Sequence, residues 1–220
     1  MRMTGAEMVV KTLEKNGVKV VFGYPGAANC PIIDKLSFSS IKHILTRNEQ
    51  GAAHMASGYA RVTKQAGVCT ATSGPGATNL ITGIATAYMD SIPMVALTGQ
   101  VATKLIGKDA FQEVDITGAT LPFTKHSYLI KDGLDIPRVV NEAFHIANTG
   151  RPGPVLIDFP MDLLKKEFDY PDEDEDVNIR GYKLMGKANE SQVKKVAEAI
   201  KDAKKPVILA GGGVVISDAT

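Results

Sequence analysis

Residues 46–61 read Thr46-Arg47-Asn48-Glu49-Gln50-Gly51-Ala52-Ala53-His54-Met55-Ala56-Ser57-Gly58-Tyr59-Ala60-Arg61, and this stretch indicates both the fold and the chemistry of the chain. It follows an apolar run at residues 41–45 and predicts a helix with many small side chains, against which another element can pack closely. Glu49 would lie in the first turn, at a strand–helix junction, where α/β proteins place ligands. The helix macrodipole alone also favours an acidic residue there. Glu49 is therefore either a structural or a catalytic carboxylate.

The same alternation of strand and helix continues on both sides of this stretch. Thr4 and Glu7 have the spacing of a capping box, which predicts the start of the first helix. Short β-rich runs then alternate with helical segments, at residues 18–22, 41–45, 67–72, 92–98, 127–130 and 155–159. Six such alternations predict an α/β fold with a doubly wound, six-stranded, mainly parallel sheet and helices on both faces.

The pattern changes near Leu164, where we place the end of the first domain, at residues 1–164. Residues 165–188 contain the run Asp172-Glu173-Asp174-Glu175-Asp176 and are predicted to be an acidic, solvated linker. Residues 189–220 then predict a helix capped by Asn189 and Gln192, a strand at 206–210 and a glycine turn. One helix and one strand cannot bury a core, so we expect the beginning of a second α/β domain, truncated at residue 220.

Composition argues against several classes of partner. The net charge is +1, Trp is absent and aromatic residues make up 6%, so neither nucleic acid nor an anionic membrane surface is an expected partner. No apolar run reaches the roughly 18 residues that a membrane span requires, and no signal peptide is recognisable. Cys30 and Cys69 lack metal-ligand spacing. Two unpaired thiols favour a cytoplasmic location.

Two glycine-containing loops follow predicted strands, at residues 23–26 and 73–76. The carboxyl ends of strands are where open α/β sheets bind ligands, and glycine lets the backbone approach a ligand closely. Neither loop matches the dinucleotide-binding or P-loop pattern, so each alone indicates a turn rather than a binding site. His54 has no accompanying ligands and is predicted to be packed or capping, and we predict no metal site. Arg151 is compatible with a helix cap or with an anion contact.

A hydrolase has little support, because no Gly-x-Ser-x-Gly elbow is present. A longer set of motifs instead resembles the N-terminal part of the acetolactate synthase (acetohydroxyacid synthase) large catalytic subunit, over residues 4 to about 160. The motifs are Val21-Phe22-Gly23-Tyr24-Pro25-Gly26, Asn48-Glu49-Gln50-Gly51-Ala52-Ala53-His54, Gly58-Tyr59-Ala60-Arg61, Thr72-Ser73-Gly74-Pro75-Gly76-Ala77-Thr78-Asn79-Leu80, Thr82-Gly83-Ile84-Ala85-Thr86-Ala87-Tyr88-Met89-Asp90-Ser91-Ile92-Pro93, Leu97-Thr98-Gly99-Gln100-Val101, Asp109-Ala110-Phe111-Gln112-Glu113 and Thr149-Gly150-Arg151-Pro152-Gly153-Pro154-Val155. Most of them are common to thiamine-diphosphate enzymes. The segments at 87–93, 111–113 and 149–154 favour the acetolactate synthase branch.

The resemblance implies a transferase that uses thiamine diphosphate. Such an enzyme decarboxylates pyruvate and joins the two-carbon unit to a second 2-oxo acid, pyruvate or 2-oxobutanoate, in branched-chain amino-acid biosynthesis. Glu49 matches the catalytic glutamate, which hydrogen-bonds the aminopyrimidine ring of the cofactor and promotes its imino tautomer. A charged hydrogen bond needs a carboxylate at this position, while the cofactor carries the carbon chemistry.

The resemblance also assigns binding roles to further residues. The cofactor-binding residues would be Pro25, Gly26, Ala27, Glu49, Pro75, Asn79, Gln112 and Arg151. The substrate-lining residues would be Gly26, Ala27, Phe111 and Gln112. Arg151 would contact FAD, bound for structure as in other flavoproteins of the family, together with a central domain. Magnesium would be held through a C-terminal domain, so this chain itself would supply no metal ligand.

The family further implies a homodimer in which the Glu49 and Leu80 helices pack across a two-fold axis, a contact that the small residues of 52–60 would suit. A small regulatory subunit is a further expected partner. Asn48 stands where the family usually has histidine. We expect this chain alone to be inactive. Two alternatives stay open: another thiamine-diphosphate-dependent 2-oxo acid decarboxylase or carboligase, or a non-catalytic module that keeps the fold.

Overall fold

Eight strands and ten α-helices are present in a computed structural model of the chain, which describes residues 1–170, 177–184 and 186–219. The strands are β1 (Arg2–Thr4), β2 (Val20–Gly23), β3 (Lys42–Leu45), β4 (Gly67–Ala71), β5 (Met94–Gln100), β6 (His126–Leu129), β7 (Pro154–Pro160) and β8 (Glu167–Asp169). The helices are α1 (Gly5–Lys15), α2 (Cys30–Leu36), α3 (Glu49–Thr63), α4 (Pro75–Asn79), α5 (Ile81–Met89), α6 (Ile116–Thr120), α7 (Ile136–Asn148), α8 (Met161–Lys165), α9 (Glu190–Asp202) and α10 (Gly212–Ile216).

Six of the strands form one parallel sheet in the order β3-β2-β4-β5-β7-β6. Each overlaps one of the six β-rich runs, which confirms the predicted doubly wound α/β fold. From β2 the chain continues outward to β3, and from β4 it continues in the opposite direction to β5. The direction of winding therefore reverses between β2 and β4, and a crevice for a ligand is expected at the carboxyl ends of these two strands.

Helices cover both faces of the sheet, as predicted, and each face has its own apolar core. One core joins α1, α2, α7 and α8 to the sheet and includes the fully buried Leu13, Ile32 and Ile136. The other lies under α3 and α5 and consists largely of alanines, and its bulky members are Leu80, Ile84, Met94, Ile116 and Leu156. The second core is therefore thin, and α3 and α5 come close both to each other and to the sheet.

The start of α1 confirms the predicted capping box. The Thr4 hydroxyl accepts a hydrogen bond from the backbone N–H of Glu7, and the Glu7 carboxylate accepts one from the N–H of Thr4, 2.8 Å away. Thr4 is also the last residue of β1, which pairs antiparallel with β8, so that Met3 lies opposite Phe168. This two-stranded sheet was not predicted.

The division of the chain falls later than Leu164. Because β8 pairs with β1, residues 167–169 belong to the first unit, which extends from Met1 to Arg180, and the second comprises Gly181–Thr220. The acidic run at 172–176 lies outside the described residues. That residues 189–220 begin a further α/β domain stays a prediction.

The second unit contains α9 and α10. The Asn189 side chain caps α9, as predicted, by accepting hydrogen bonds from the backbone N–H groups of Ser191 and Gln192. The predicted strand at 206–210 is wrong, because these residues, all described, form no strand. Their apolar side chains are almost fully exposed, and a strand without a neighbour leaves its backbone groups unpaired.

Candidate active site

The predicted site residues fall into two groups at opposite edges of the sheet. Most of them follow the carboxyl ends of parallel strands: Pro25, Gly26 and Ala27 after β2, Glu49 after β3, Pro75 and Asn79 after β4, and Phe111 and Gln112 after β5. Arg151 instead precedes β7 and so lies at the other edge. The first group surrounds the point between β2 and β4 where the winding of the sheet reverses.

Glu49 is held at the first position of α3 by the residues before it. The Asn48 side chain caps the helix by accepting a hydrogen bond from the N–H of Gly51, 2.7 Å away, and the Thr46 hydroxyl donates to the Asn48 carbonyl. One Glu49 oxygen, Oε2, accepts a hydrogen bond from the Asn79 amide, 3.0 Å away. Among the described residues, no group donates a hydrogen bond to Oε1. The structure therefore joins two predicted site residues and leaves one carboxylate oxygen unengaged.

Glycines keep the space beside this carboxylate open. A Cβ atom at Gly76 would lie 3.3 Å from Glu49 Oε1 and 2.8 Å from Cγ2 of Thr72. Gly74 has φ +60°, a conformation that favours glycine, and a Cβ there would lie 2.6 Å from the Gln112 carbonyl oxygen. The loop after β4 thus contacts both the carboxylate and the segment that follows β5.

The loop after β2 is fixed to β4 by side chains that the sequence did not identify as part of the site. Asn29 is fully buried; its oxygen accepts from the N–H of Gly26, 2.7 Å away, and its amide donates to Thr70. The Thr72 hydroxyl accepts from the N–H of Ala28, and a Cβ at Gly26 would lie 2.4 Å from the Thr72 Cβ. Asn29 binds the N–H of a residue three positions before it, whereas an Asx turn joins the side chain to backbone two residues further on, so the spacing gave no recognised turn signal.

Gln112 and Phe111 differ in how they join the site. The backbone of Gln112 lies against the Gly74 turn and has φ +56°. The Phe111 side chain is 88% exposed, so it packs against little of this chain. The structure therefore places the backbone of the segment at the site, and the predicted contacts of both side chains with a substrate stay predictions.

Arg151 acts as a helix cap in this chain. Its Nε donates to the Ser91 hydroxyl at 2.8 Å, and one of its Nη atoms donates to the Met89 carbonyl at 3.3 Å. These groups lie at the C-terminal end of α5, where a positive charge interacts favourably with the helix macrodipole. Of the two interpretations left open by the sequence, the structure shows the cap, although on α5 and not on α7, the helix that ends near Arg151. Its role in binding FAD stays a prediction.

The small residues of α3 are used within the chain. A Cβ at Gly83 of α5 would lie 2.4 Å from the Ala53 Cβ, and one at Gly67 of β4 would lie 2.0 Å from the Ala56 carbonyl oxygen. The alanines on this side of α3 are buried by α5 and the sheet. These contacts account for the small-residue face, which therefore does not indicate a subunit contact.

His54 is exposed in the middle of α3, so the prediction of a packed or capping histidine was wrong. No cluster of three or more potential metal ligands occurs among the residues that the structure describes. The described helices include none that is both long and apolar enough to cross a membrane.

A buried carboxyl group lies behind the site on β7. Asp158 accepts hydrogen bonds from the Thr98 hydroxyl at 2.7 Å and from the Gln100 amide at 2.8 Å. Burial raises its pKa from 3.8 to about 7, against the opposing effect of these two bonds. Gln100 also donates to the Val114 carbonyl, so the group supports the segment that carries Gln112. Sequence reasoning missed it, although a lone aspartate in an apolar strand was a visible signal.

The chain is similar to known proteins of one family. The family described as "Thiamine pyrophosphate enzyme, N-terminal TPP binding domain" matches residues 3–119. The chain is 56% identical to a probable acetolactate synthase large subunit of Methanocaldococcus jannaschii, over 99% of this chain and 37% of that protein. It is 51% identical to an acetolactate synthase of Arthrospira platensis, over 99% of this chain and 38% of that protein. It is 54% identical to an acetolactate synthase of Mycobacterium bovis, over 100% of this chain and 35% of that protein.

The chain thus spans between 35% and 38% of the length of these relatives. The matched family covers β1 to α6, which includes the loops after β2, β3, β4 and β5 that form the site. The chain therefore belongs to the thiamine pyrophosphate (thiamine diphosphate) enzymes and carries their N-terminal cofactor-binding domain.

Proposed function

We propose that this chain supplies the aminopyrimidine-binding part of a thiamine-diphosphate-dependent acetolactate synthase, with Glu49 as its catalytic carboxylate. The observation that carries the proposal is the Glu49 carboxylate at the reversal point of the sheet, with Oε2 held by Asn79 and Oε1 unengaged among the described residues. Relatives that are 51–56% identical over nearly the whole chain are named acetolactate synthases.

The residues present suit an aminopyrimidine ring. Gly76 leaves room beside Glu49 Oε1, where a Cβ atom would lie only 3.3 Å from that oxygen. Pro75 is exposed next to it, and the Gly26–Ala27 loop approaches from β2. These groups offer one charged acceptor between short, rigid segments. When bound, thiamine diphosphate supplies a carbon nucleophile that adds to the carbonyl group of a 2-oxo acid.

Glu49 would hold a proton shared with a ring nitrogen. A carboxylate forms a stronger hydrogen bond to such a donor than a neutral acceptor does. Asn79 fixes the orientation of the carboxylate by donating to Oε2, which leaves Oε1 to bind the ring. Because the Asn48 side chain accepts the hydrogen bond from the N–H of Gly51, the Glu49 side chain is not needed as the cap of that N–H group.

The same proposal covers the substrates. Gly26, Ala27, Phe111 and Gln112 would line the approach to the reacting centre. The contact between the Gln112 backbone and the Gly74 turn, which precedes Pro75, supports this part of the proposal. The reaction would decarboxylate pyruvate and join the two-carbon unit to pyruvate or 2-oxobutanoate, in branched-chain amino-acid biosynthesis. Support for these substrates comes from the names of the relatives.

Further parts of the proposal concern groups outside this chain. Magnesium, and FAD in contact with Arg151, would be bound together with other domains, and a small regulatory subunit is compatible with relatives named as large subunits. A homodimer through α3 and the helix after Leu80 is supported by the exposed apolar side chains of Met55, Val62 and Met89 on α3 and α5. The two free cysteines fit a cytoplasmic location, where thiols stay reduced.

Glu49→Gln in the full-length protein tests the mechanism. Glutamine keeps the size of the side chain and removes its charge, so acetolactate formation from pyruvate should fall by about 100-fold or more. Thiamine diphosphate binding, measured by calorimetry, should persist. Glu190→Gln is a matched control, because Glu190 also follows a capping asparagine at the first position of a helix.

A Glu49→Gln enzyme with near-normal acetolactate formation would refute the role of Glu49. A wild-type protein that decarboxylates pyruvate without forming acetolactate would identify another thiamine-diphosphate enzyme. A wild-type protein that binds no thiamine diphosphate would be a non-catalytic module.

A further inference from the structure

The segment between β5 and α6, residues 101–115, has an unusual backbone. Gly107, Asp109 and Gln112 have φ values of +78°, +52° and +56°. The two non-glycine residues among them adopt a conformation that L residues take rarely, so surrounding contacts must hold them there. Gln112 is the residue of this segment whose backbone contacts the Gly74 turn of the site.

The Glu113 carboxylate lies inside this loop and closes it. Its Oε1 accepts a hydrogen bond from the N–H of Gly107, and its Oε2 accepts one from the N–H of Ala110, 2.9 Å away. The backbone N–H of Glu113 in turn donates to the Ala110 carbonyl at 2.9 Å. The hydrogen bonds from Ala110 and Gly107 hold the pKa of Glu113 below its ordinary value, as expected for a carboxylate that binds backbone donors.

Both ends of the segment are fixed by other side chains. The backbone N–H and the hydroxyl of Thr103 donate to the Asp162 carboxylate, at 2.9 and 2.6 Å. At the other end, Gln100 donates to the Val114 carbonyl at 2.9 Å while it binds the buried Asp158. Between these anchors, the Glu113 carboxylate binds the backbone of residues 107–110, and Gln112 contacts the Gly74 turn.

The loop meets the candidate site through its backbone. A Cβ at Gly74 would lie 2.6 Å from the Gln112 carbonyl oxygen and 2.9 Å from its Cα. The two segments are therefore in contact. A change in the backbone conformation of Gln112 would shift Gln112 relative to the Gly74 turn, which precedes Pro75.

We propose that Glu113 is a positioning residue, which folds residues 107–113 around its carboxylate and thereby holds Phe111 and Gln112 beside the site in the arrangement that meets the 2-oxo acid. The proposal rests on the function proposed above. Glutamine at 113 cannot replace the carboxylate, because its amide has one acceptor oxygen and would turn an NH₂ group toward a backbone N–H.

The test compares Glu113→Gln with Asp109→Asn in the full-length protein. Asp109→Asn removes a carboxylate from the same loop, and asparagine tolerates the positive φ of that position. For Glu113→Gln, kcat/KM with pyruvate should fall about tenfold, mainly through KM, because a lost charge-assisted bond loosens the loop but leaves Glu49 in place. Asp109→Asn should stay within about twofold of wild type, and both variants should keep the wild-type Tm and Kd for thiamine diphosphate.

A double-mutant cycle with Gln112→Ala identifies the route of the effect. If Glu113 acts through Gln112, the double variant should lose little more than Gln112→Ala alone. Additive losses in the cycle, or equal effects of Glu113→Gln and Asp109→Asn, would overturn the proposal.

A wild-type protein without acetolactate synthase activity would refute the proposed function and not the positioning role. Hydrogen exchange then decides the latter, since Glu113→Gln should speed exchange at the amides of Gly107 and Ala110. Unchanged exchange at these two amides would overturn the positioning role.

Discussion

Replacing Asp158 with asparagine should change how the stability of this chain depends on pH. The Asp158 side chain is 1% exposed and accepts hydrogen bonds from Thr98 and Gln100. Burial raises its pKa from 3.8 to about 7, so the folded protein holds this proton more tightly than the unfolded chain does. Asparagine is close in size and carries no charge at any pH.

The sign and size of the effect follow from the two pKa values. Below 3.8 the carboxyl group is protonated in both states, and between 3.8 and about 7 the unfolded chain releases the proton first, so rising pH favours unfolding. One pKa unit corresponds to about 1.4 kcal/mol, so ionisation costs about 4 kcal/mol of stability in total. The interval from pH 5 to about 7 accounts for about 3 kcal/mol of this amount.

Urea unfolding at pH 5, 6, 7 and 8 measures the effect, with wild type, Asp158→Asn and the exposed-site control Asp169→Asn compared at each pH. The free energy of unfolding of Asp158→Asn minus that of wild type should rise by about 3 kcal/mol across the series, because titration of other groups cancels in the difference. Asp169→Asn should show no such trend. Parallel pH profiles for wild type and Asp158→Asn would refute the assignment of a buried, raised-pKa carboxyl.

Two glycine substitutions and the two thiols give further tests. Gly83→Ala should lower the free energy of unfolding by about 1–3 kcal/mol, because the new Cβ would lie 2.4 Å from that of Ala53. A Cβ at Gly58 of α3 would have no atom within 4 Å, so Gly58→Ala should raise the free energy of unfolding by up to about 1 kcal/mol. Equal changes in the urea unfolding of Gly83→Ala and Gly58→Ala would contradict the close α3–α5 contact. Cys69 is buried, which raises its pKa to about 12, whereas Cys30 is exposed, so a thiol reagent should label Cys30 in native protein and both in denaturant. Labelling of Cys69 in native protein would show that β4 is accessible.

The six-stranded sheet was predictable because its signals are local. Each parallel strand is a short β-rich run between helical periodicities, and the order of strand and helix in such a chain restricts the topology. The β1–β8 pair was not predictable in the same way. Its strands have three residues each and pair across more than 160 positions, as Met3 with Phe168, so neither carries a recognisable pattern.

At residues 206–210 the sequence predicted a strand that the structure does not form. Residues 206–210 have the composition of a buried parallel strand, but a strand forms through hydrogen bonds to a neighbour, and the composition does not state whether a neighbour is present. The described part of the second unit contains helices α9 and α10 and no strand, and Leu209 is almost fully exposed.

Patterns of small or charged residues also left their partners undetermined. The alanines of α3 suit a contact between subunits as well as one within the chain, and the distances at Ala53 and Gly83 show that the contact is internal. Arg151 is similar, since a guanidinium beside a turn suits carbonyl groups as well as a bound anion, and here it binds the end of α5. In both cases the residue type set the chemistry of the contact, whereas the fold selected the partner.

The two interpretations of Glu49 are separated by its hydrogen bonds. A carboxylate that only stabilises a helix start would interact with the first backbone N–H groups of α3. In this chain the Asn48 side chain performs that role by binding the N–H of Gly51. The Glu49 carboxylate instead accepts a hydrogen bond from Asn79, thirty residues later at the end of α4, the short helix that follows β4. Gly76 keeps the space beside Oε1 free of a side chain. An arrangement that turns the carboxylate away from its own helix and toward an open space supports a ligand-binding role, which is the role that Glu49→Gln tests.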